Sequence, residues 1–252
     1  MISTVVWHDL ECGTYTEDLP LWLGLAAELG GPVLDIGAGS GRVALALARA
    51  GHSVLALDSD VELLAALEQR ARAQDLPVSI IHADARECRL AEQVPLAIVP
   101  MQTIQLLGRA GGRARFFAAV RASLRPRGAL AIAISESVEE FEWRDGDPFP
   151  LPDIVEHDGT VYSSQPTAVR AVGDTFVLER RRELIGPGGE RSIEEDVIVL
   201  EVLDGQLLIA EAESAGFRCS AQRSIAPTAE HVGSEVLIFT STEGSAPEAI
   251  NS

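Results

Sequence analysis

The sequence predicts an α/β fold, a parallel sheet covered on both faces, and three observations carry that expectation. Short apolar runs alternate with amphipathic runs from Pro32 to Ser135, the pattern of strands joined by crossover helices. Three glycines, Gly37, Gly39 and Gly41, form the turn between the first apolar run and the first amphipathic one. Acidic residues also mark the first three strands: Asp35 lies within the first, and Asp58 and Asp84 end the second and third.

Along the chain, Leu21, Trp22, Leu25, Ala26 and Leu29 recur at helical spacing. "PVLDIG" reads as a short buried strand and "GRVALALARAG" as a helix closed by Gly51. "SVLALD" is a strand, "DVELLAALEQRARAQ" a helix, "VSIIHAD" a strand and "LAIVPM" the next strand. "GRARFFAAVRASL" is a helix and "GALAIAI" a strand ending near Ser135. The rhythm then breaks in an acidic stretch with three prolines, read as a loop or cover. The runs "TVYSSQ", "TAVRAV", "TFVLERRREL" and "RSIEEDVIVLEVL" follow as antiparallel strands, with "GPGG" at Gly186–Gly189 as a hairpin turn. "DGQLLIAEAESAGF" returns to helix, with Asp204 as N-cap and Gly216 as its stop. "FRCSAQRSI" and "SEVLIFTST" close the chain. The expected organisation is one domain from 1–135 and 204–242, a β-rich lid over 136–203, and a flexible tail over 243–252.

Composition narrows the function. The formal charge is −18, and all 20 basic side chains are arginines. Such a surface opposes the counterion release on which nucleic-acid affinity rests, and disfavours an anionic membrane. The absence of lysine removes Schiff-base chemistry and a phosphate-loop lysine. Cys12, Cys88 and Cys219 are isolated, so neither a disulfide framework nor a metal site is expected. The N-terminus lacks a basic-then-apolar secretory pattern, and no run is long enough to span a bilayer. A cytoplasmic location is the expectation.

The glycine turn brings backbone amides close to a ligand at a helix N-terminus. A dinucleotide reader carries GxGxxG, but Arg42 stands where the third glycine belongs, and it reads as a solvated first-turn residue. Asp35, Asp58 and Asp84 are poor company for a pyrophosphate. They suit a ligand with a ribose, a base and a cationic amine, which favours S-adenosylmethionine over a nicotinamide.

In these stretches the sequence resembles the class I S-adenosylmethionine-dependent methyltransferases. "VLDIGAGSGR" looks like their first motif, "LALDSD" the second, "HADA" the third and "LAIVPMQTIQLL" the fourth. The resemblance covers about residues 15–135. It implies a Rossmann-like seven-stranded sheet, mostly parallel, whose last strand, "SEVLIFTST", runs antiparallel. It further implies that Asp35, Gly37, Ala38 and Gly39 hold the methionine part and Asp58 the ribose. Ser59 would lie beside the adenine, with Asp84 and Ala85 at its amino group. Met101 and Gln102 would border the sulfonium, and Tyr15 would cover the cofactor. The later strands resemble the lid of glycine and amino-sugar N-methyltransferases, and lid strands of this kind suggest a homodimer.

The implied reaction is direct methyl transfer to a small molecule, with S-adenosylhomocysteine as product. Gln105, Phe141 and Trp143 are the candidate acceptor contacts. An amine needs little beyond deprotonation and positioning, whereas a hydroxyl of high pKa needs a base or metal. The candidate bases are His157, His231 and Glu140; His82 stands by the cofactor instead, and Glu139 and Glu142 would face a cationic amine if turned inward. No base stands out, so nitrogen is the expected acceptor atom over oxygen. The DPPY-type tetrad of base methyltransferases is absent after the fourth strand. A cofactor-binding protein without transfer, or a cyclase, stays open on the same fold. A nicotinamide oxidoreductase is less consistent, since a Tyr-x-x-x-Lys dyad is impossible here.

Overall fold

The computed structural model describes residues 4–144, 150–228 and 232–242. In chain order the elements are α1 (Thr4–Cys12), α2 (Leu19–Leu29), β1 (Val33–Ile36), α3 (Arg42–Arg49), β2 (Val54–Asp58), α4 (Val61–Ala73), β3 (Val78–His82) and β4 (Val94–Val99). A 3-10 turn (Thr103–Leu106) leads to α5 (Arg109–Ser123) and β5 (Leu124–Ile134). Then come β6 (Phe141–Glu142), β7 (Asp153–His157), β8 (Thr160–Val172), β9 (Thr175–Ile185) and β10 (Arg191–Glu201). The chain closes with α6 (Gly205–Ser214), β11 (Phe217–Ile225) and β12 (Ser234–Ser241).

The first sheet has seven strands in the order β11-β12-β5-β4-β1-β2-β3. β1 pairs in parallel with β2 and β4, while β12 runs antiparallel to both β5 and β11. This is the mostly parallel sheet with one reversed strand that the sequence predicts. Alternation along each strand loads both faces. Val33, Ala56, Ile98 and Val236 face one side, against Trp22 and Ala26 of α2, Leu47 of α3 and Leu67 of α4. Leu34, Leu57, Ala97 and Phe239 face the other, against Phe116 and Phe117 of α5 and Leu208 of α6. Each such aliphatic side chain contributes about 1.5–3 kcal/mol by leaving water. Phe117, Phe217 and Phe239 meet in tilted and edge contacts, with centroids 5.9–6.4 Å apart.

Helix ends follow their capping residues. Asp60 accepts from the Glu62 and Leu63 amides at 2.8 and 3.1 Å and starts α4. Asp204 does the same for α6, from the Gln206 and Leu207 amides, and Gly216 stops that helix at φ +86°.

The second sheet, the lid, runs β10-β9-β8-β6, and β7 also pairs with β8. The two runs read as separate strands, 160–165 and 167–172, form one strand with a bulge between Pro166 and Ala168. A proline cannot donate to the ladder, and the bulge absorbs it. "GPGG" is the β9–β10 turn, closed by the Gly186 amide donating to the Glu190 carbonyl at 2.8 Å.

Helix α1 was not expected. It holds both sheets at once. Its Trp7 ring meets Tyr162 of β8 edge-on at 5.0 Å, and the Arg182 guanidinium of β9 lies 5.3 Å over Trp7. Glu11 accepts from Arg182 at 2.7 and 2.8 Å and from the Ser164 hydroxyl at 2.7 Å. Toward the other sheet, the Ser40 hydroxyl donates to Asp9 at 2.5 Å, and Arg70 of α4 also pairs with Asp9. No described helix is long and apolar enough to cross a membrane.

Candidate active site

A cavity of about 1050 Å³ opens at the carboxyl ends of β1, β2 and β4 and is roofed by the lid. Open α/β sheets place ligands at this edge, where the strand order reverses between β1 and β4. Its volume sits at the upper end of small-molecule pockets, roughly 300–1,000 Å³, so it can seat more than one small ligand.

The floor is built by the glycine turn. After β1 the chain must reverse within the width of one strand. Gly37, Gly39 and Gly41 adopt φ of +75°, +53° and +103° to do so, a region side chains avoid. A Cβ on Gly37 would stand 2.5 Å from Thr103 Cγ2, and one on Gly39 2.5 Å from His8 Nε2. The Gly37 and Ala38 amides donate to the Leu57 carbonyl at 2.8 and 3.0 Å. That locks the turn to β2 and leaves the Gly39 amide for Asp58 Oδ2, at 2.8 Å. Asp58 Oδ1 accepts from the Asp60 amide at 2.9 Å. The carboxylate is thus held at both oxygens, in a residue that lines the cavity.

Asp35 is the other acid of this floor, 1% exposed inside β1. Neither of its oxygens accepts a hydrogen bond of normal geometry. Burial pushes its carboxyl up to about 7; Arg42 opposes that shift, and the Ala44 amide does so weakly. An unpartnered buried carboxylate on a cavity wall is costly unless a cation or donor meets it.

Asp84 follows β3 and also lines the cavity, but Arg86 has engaged it. Arg86 donates to both Asp84 oxygens at 2.6–3.0 Å, and these hydrogen bonds hold the carboxyl down near 2. Ser59, Ala85, Met101 and Gln102 are on the cavity wall as well. Gln102 donates to the Ser135 hydroxyl at 3.0 Å, and Met101 holds φ +55° in the tight turn after β4. Gly39 stands behind this wall, covered by His8.

Tyr15 is at the cavity edge, 6% exposed, in the loop between α1 and α2. Arg42 pins it: the guanidinium donates to the Tyr15 carbonyl at 2.8 Å and lies 5.2 Å over the ring. Arg42 is therefore not the solvated residue expected, because Asp18 draws it inward into a buried ion pair.

The lid side of the site differs more from expectation. Phe141 lines the cavity, but Trp143 and Gln105 do not. Gln105 is buried, donating to the Ser135 and Glu201 carbonyls and accepting from the Ser135 amide at 2.9 Å. Both N–H groups of its amide are used in tying the turn after β4 to β5 and β10. Trp143 donates its amide to the Thr167 carbonyl at 2.9 Å as the chain enters the lid sheet. Glu140 accepts from the Ala171 amide at 2.9 Å on the lid, away from the cavity. His157 sits at the exposed end of β7, 3.5 Å from Asp158, and is not on the cavity wall. His82 contacts the Ser59 carbonyl at 3.1 Å but is outside the cavity wall. His231 and the tail 243–252 lie outside the described residues.

Several wall residues had not been foreseen: His8, Glu11 and Cys12 from α1, and Pro166, Val169, Leu178, Arg180 and Ile198 from the lid. Desolvation lowers the His8 pKa, which favours neutral imidazole, while its Nδ1 lies 3.0 Å from the Ser40 hydroxyl. Burial raises the Cys12 thiol pKa, so the neutral thiol prevails. Among the described residues no cluster of His, Cys, Asp or Glu is arranged to hold a metal ion.

Residues 33–128 match the family model of a methyltransferase domain. No curated protein matches the chain in sequence. Solved structures match over nearly the whole chain. The CcbJ methyltransferase of Streptomyces caelestis is 18% identical over 93% of this chain and 96% of its own, with a TM-score of 0.68. CalS10, an amino pentose methyltransferase of Micromonospora echinaspora involved in calicheamicin biosynthesis, is 18% identical over 94% and 97%, also at 0.68. The sugar N-methyltransferase KedS8 of Streptoalloteichus sp ATCC 53650 is 15% identical over 96% and 94%, at 0.73. At these identities the likeness is one of fold, and it extends through the lid.

Proposed function

We propose, from the match of residues 33–128 to a methyltransferase domain model, that the chain transfers a methyl group from S-adenosylmethionine to a nitrogen atom of a small molecule held under the lid. The observation that carries the reading is Asp35: a buried carboxylate with no hydrogen bond of normal geometry, in a residue that lines the cavity beside the glycine turn. That arrangement fits the ammonium of an amino acid and rejects a phosphate. Asp58, held through Gly39 and Asp60, fits a pair of ribose hydroxyls.

When bound, S-adenosylmethionine supplies an electrophilic methyl carbon on a sulfonium. The chain's own residues do the rest. Tyr15, clamped by Arg42, closes one edge. The turn at Met101 and Gln102 borders the space between the floor and the lid. Phe141, Val169, Leu178 and Ile198 line the acceptor side with apolar surface and exclude water. Orientation in a dry pocket is the main service an in-line transfer needs. Of the ionisable groups near the turn, Asp58 is committed to backbone amides and Asp84 to Arg86, and Asp35 is taken in this reading by the ammonium of the donor. This supports an amine, which arrives as its own nucleophile once neutral, over a hydroxyl that needs a strong base. The amino pentose named for CalS10 and the sugar N-methylation named for KedS8 support an amine-bearing small molecule as the acceptor class.

The test is transfer of a labelled methyl group from S-adenosylmethionine to matched amine and alcohol acceptors. Label appearing on amines and not on alcohols supports the reading. Label on alcohols alone, or donor that binds but transfers to neither class, contradicts it.

A further inference from the structure

Three guanidinium groups line the cavity among the described residues: Arg42, Arg86 and Arg180. Two are saturated. Arg42 is forked onto Asp18 at 2.5 and 2.7 Å, and Arg86 onto both oxygens of Asp84. Arg180 is not. Its contacts are the Ser164 hydroxyl at 3.5 Å and the Asp153 carboxylate at 3.9 Å, each at the outer limit of its kind. Asp196, directly across on β10, gives its Oδ1 to Arg182 at 2.8 Å, and its buried Oδ2 makes no hydrogen bond, to Arg180 or to any other group. Glu11 is likewise engaged by Arg182 and Ser164.

The setting makes this loose cation informative. Arg180 is on the inner face of β9, with only 21% of its side chain exposed. Pro166 stands opposite on β8, and Leu178 and Ile198 form the next cross-strand row. The fork thus sits on the lid wall of the cavity, with Pro166 and Leu178 on one side of it and Ser164 and Asp196 on the other. Arginine forks bind carboxylate and phosphate oxygens in pairs, and low surrounding polarity strengthens that bond.

We propose that Arg180 is a specificity-determining residue that binds an anionic oxygen group, carboxylate or phosphate, on the methyl acceptor. The acceptor is then an amine bearing an anionic group separated from it by an apolar body. This rests on the reading of the cavity as a donor-plus-acceptor site.

The experiment titrates the full chain, saturated with S-adenosylhomocysteine, with 3-phenylpropanoate, phenyl phosphate and uncharged 3-phenylpropanamide. It is repeated on Arg180→Gln and Arg180→Lys. The expected result is an anion preference of at least about tenfold over the amide, the scale of one charge-assisted hydrogen bond. It should vanish in Arg180→Gln and survive in part in Arg180→Lys, and S-adenosylhomocysteine should bind all three proteins alike. Whichever of the two anions carries the preference identifies the oxygen group. Three outcomes overturn the assignment: no anion preference in the unaltered protein, a preference that persists in Arg180→Gln, or weakened S-adenosylhomocysteine binding in that variant, which would place the guanidinium on the donor. If S-adenosylhomocysteine fails to bind the unaltered protein, the underlying reading of the cavity fails instead.

Discussion

The Arg42 guanidinium and the Asp18 carboxylate meet in a two-bond fork, 2.5 and 2.7 Å, with 9% and 2% of their side chains exposed. Asp18 also accepts from the Trp22 indole at 2.8 Å. One buried pair therefore fixes the first turn of α3, the start of α2 and, through the Tyr15 carbonyl, the loop that edges the cavity. Removing one partner strands a buried charge. Arg42→Ala is expected to cost about 3–5 kcal/mol of stability by urea unfolding. Removing both partners with apolar replacements should cost less than that single change.

On the proposed reading, Asp35 is expected to make donor binding pH-dependent. Its folded-state pKa of about 7 lies above the ordinary carboxylate value near 3.9. A raised pKa means its stability contribution is full below about pH 4 and is lost as pH rises through 7. Asp35→Asn should therefore stabilise the ligand-free protein at neutral pH and above. The gain is on the order of 4 kcal/mol, the free energy that separates a carboxyl titrating near 7 from one titrating near 4. A cationic amine needs the ionised form, so affinity for S-adenosylmethionine should fall as pH drops below 7. Calorimetry across pH 5.5–8 checks the slope, which Asp35→Asn should flatten while weakening binding at neutral pH.

Gly39→Ala tests the floor. The added methyl would stand 2.5 Å from His8 Nε2, on a backbone at φ +53°. The His8 ring must swing aside, and the strain of a side chain at φ +53° is expected to disturb the Gly39–Asp58 bond. Donor affinity should drop at least about tenfold, equivalent to 1.4 kcal/mol, with the helical circular dichroism signal largely kept.

Glu11 tests the hold of α1 on the lid. Its carboxylate is 6% exposed and joined to Arg182 and Ser164. Glu11→Ala should leave Arg182 with Asp196 alone and loosen α1. Limited proteolysis should then cut between α1 and α2 faster than in the unaltered protein, while cleavage within the seven-stranded sheet stays slow.

These sites explain how much could be read in advance. The seven-stranded sheet was legible because its central strands are buried on both faces, so Val33–Ile36 and Val94–Val99 are built almost wholly from apolar residues. Asp35, Asp58 and the glycine turn were legible because backbone reversal and ligand chemistry act within one short stretch. Helix α1 was hidden. It is nine residues with adjacent valines, held by partners as distant as Ser40, Tyr162 and Arg182. The fates of Arg42 and Gln105 were hidden for the same reason: their partners Asp18, Ser135 and Glu201 are set by tertiary packing, not spacing. In the lid, strand existence was readable, but which residues faced inward depended on the bulge at Pro166, which reverses the alternation along β8.

The central claim is that the glycine turn and its two acids hold S-adenosylmethionine, and calorimetric titration tests it most directly. The purified chain is titrated with S-adenosylmethionine, NADH and NADPH, and the series is repeated on Asp58→Ala. The account predicts saturable one-site binding of S-adenosylmethionine alone, weakened at least about tenfold in the variant. Binding of a nicotinamide, no binding, or S-adenosylmethionine affinity indifferent to Asp58 would contradict it.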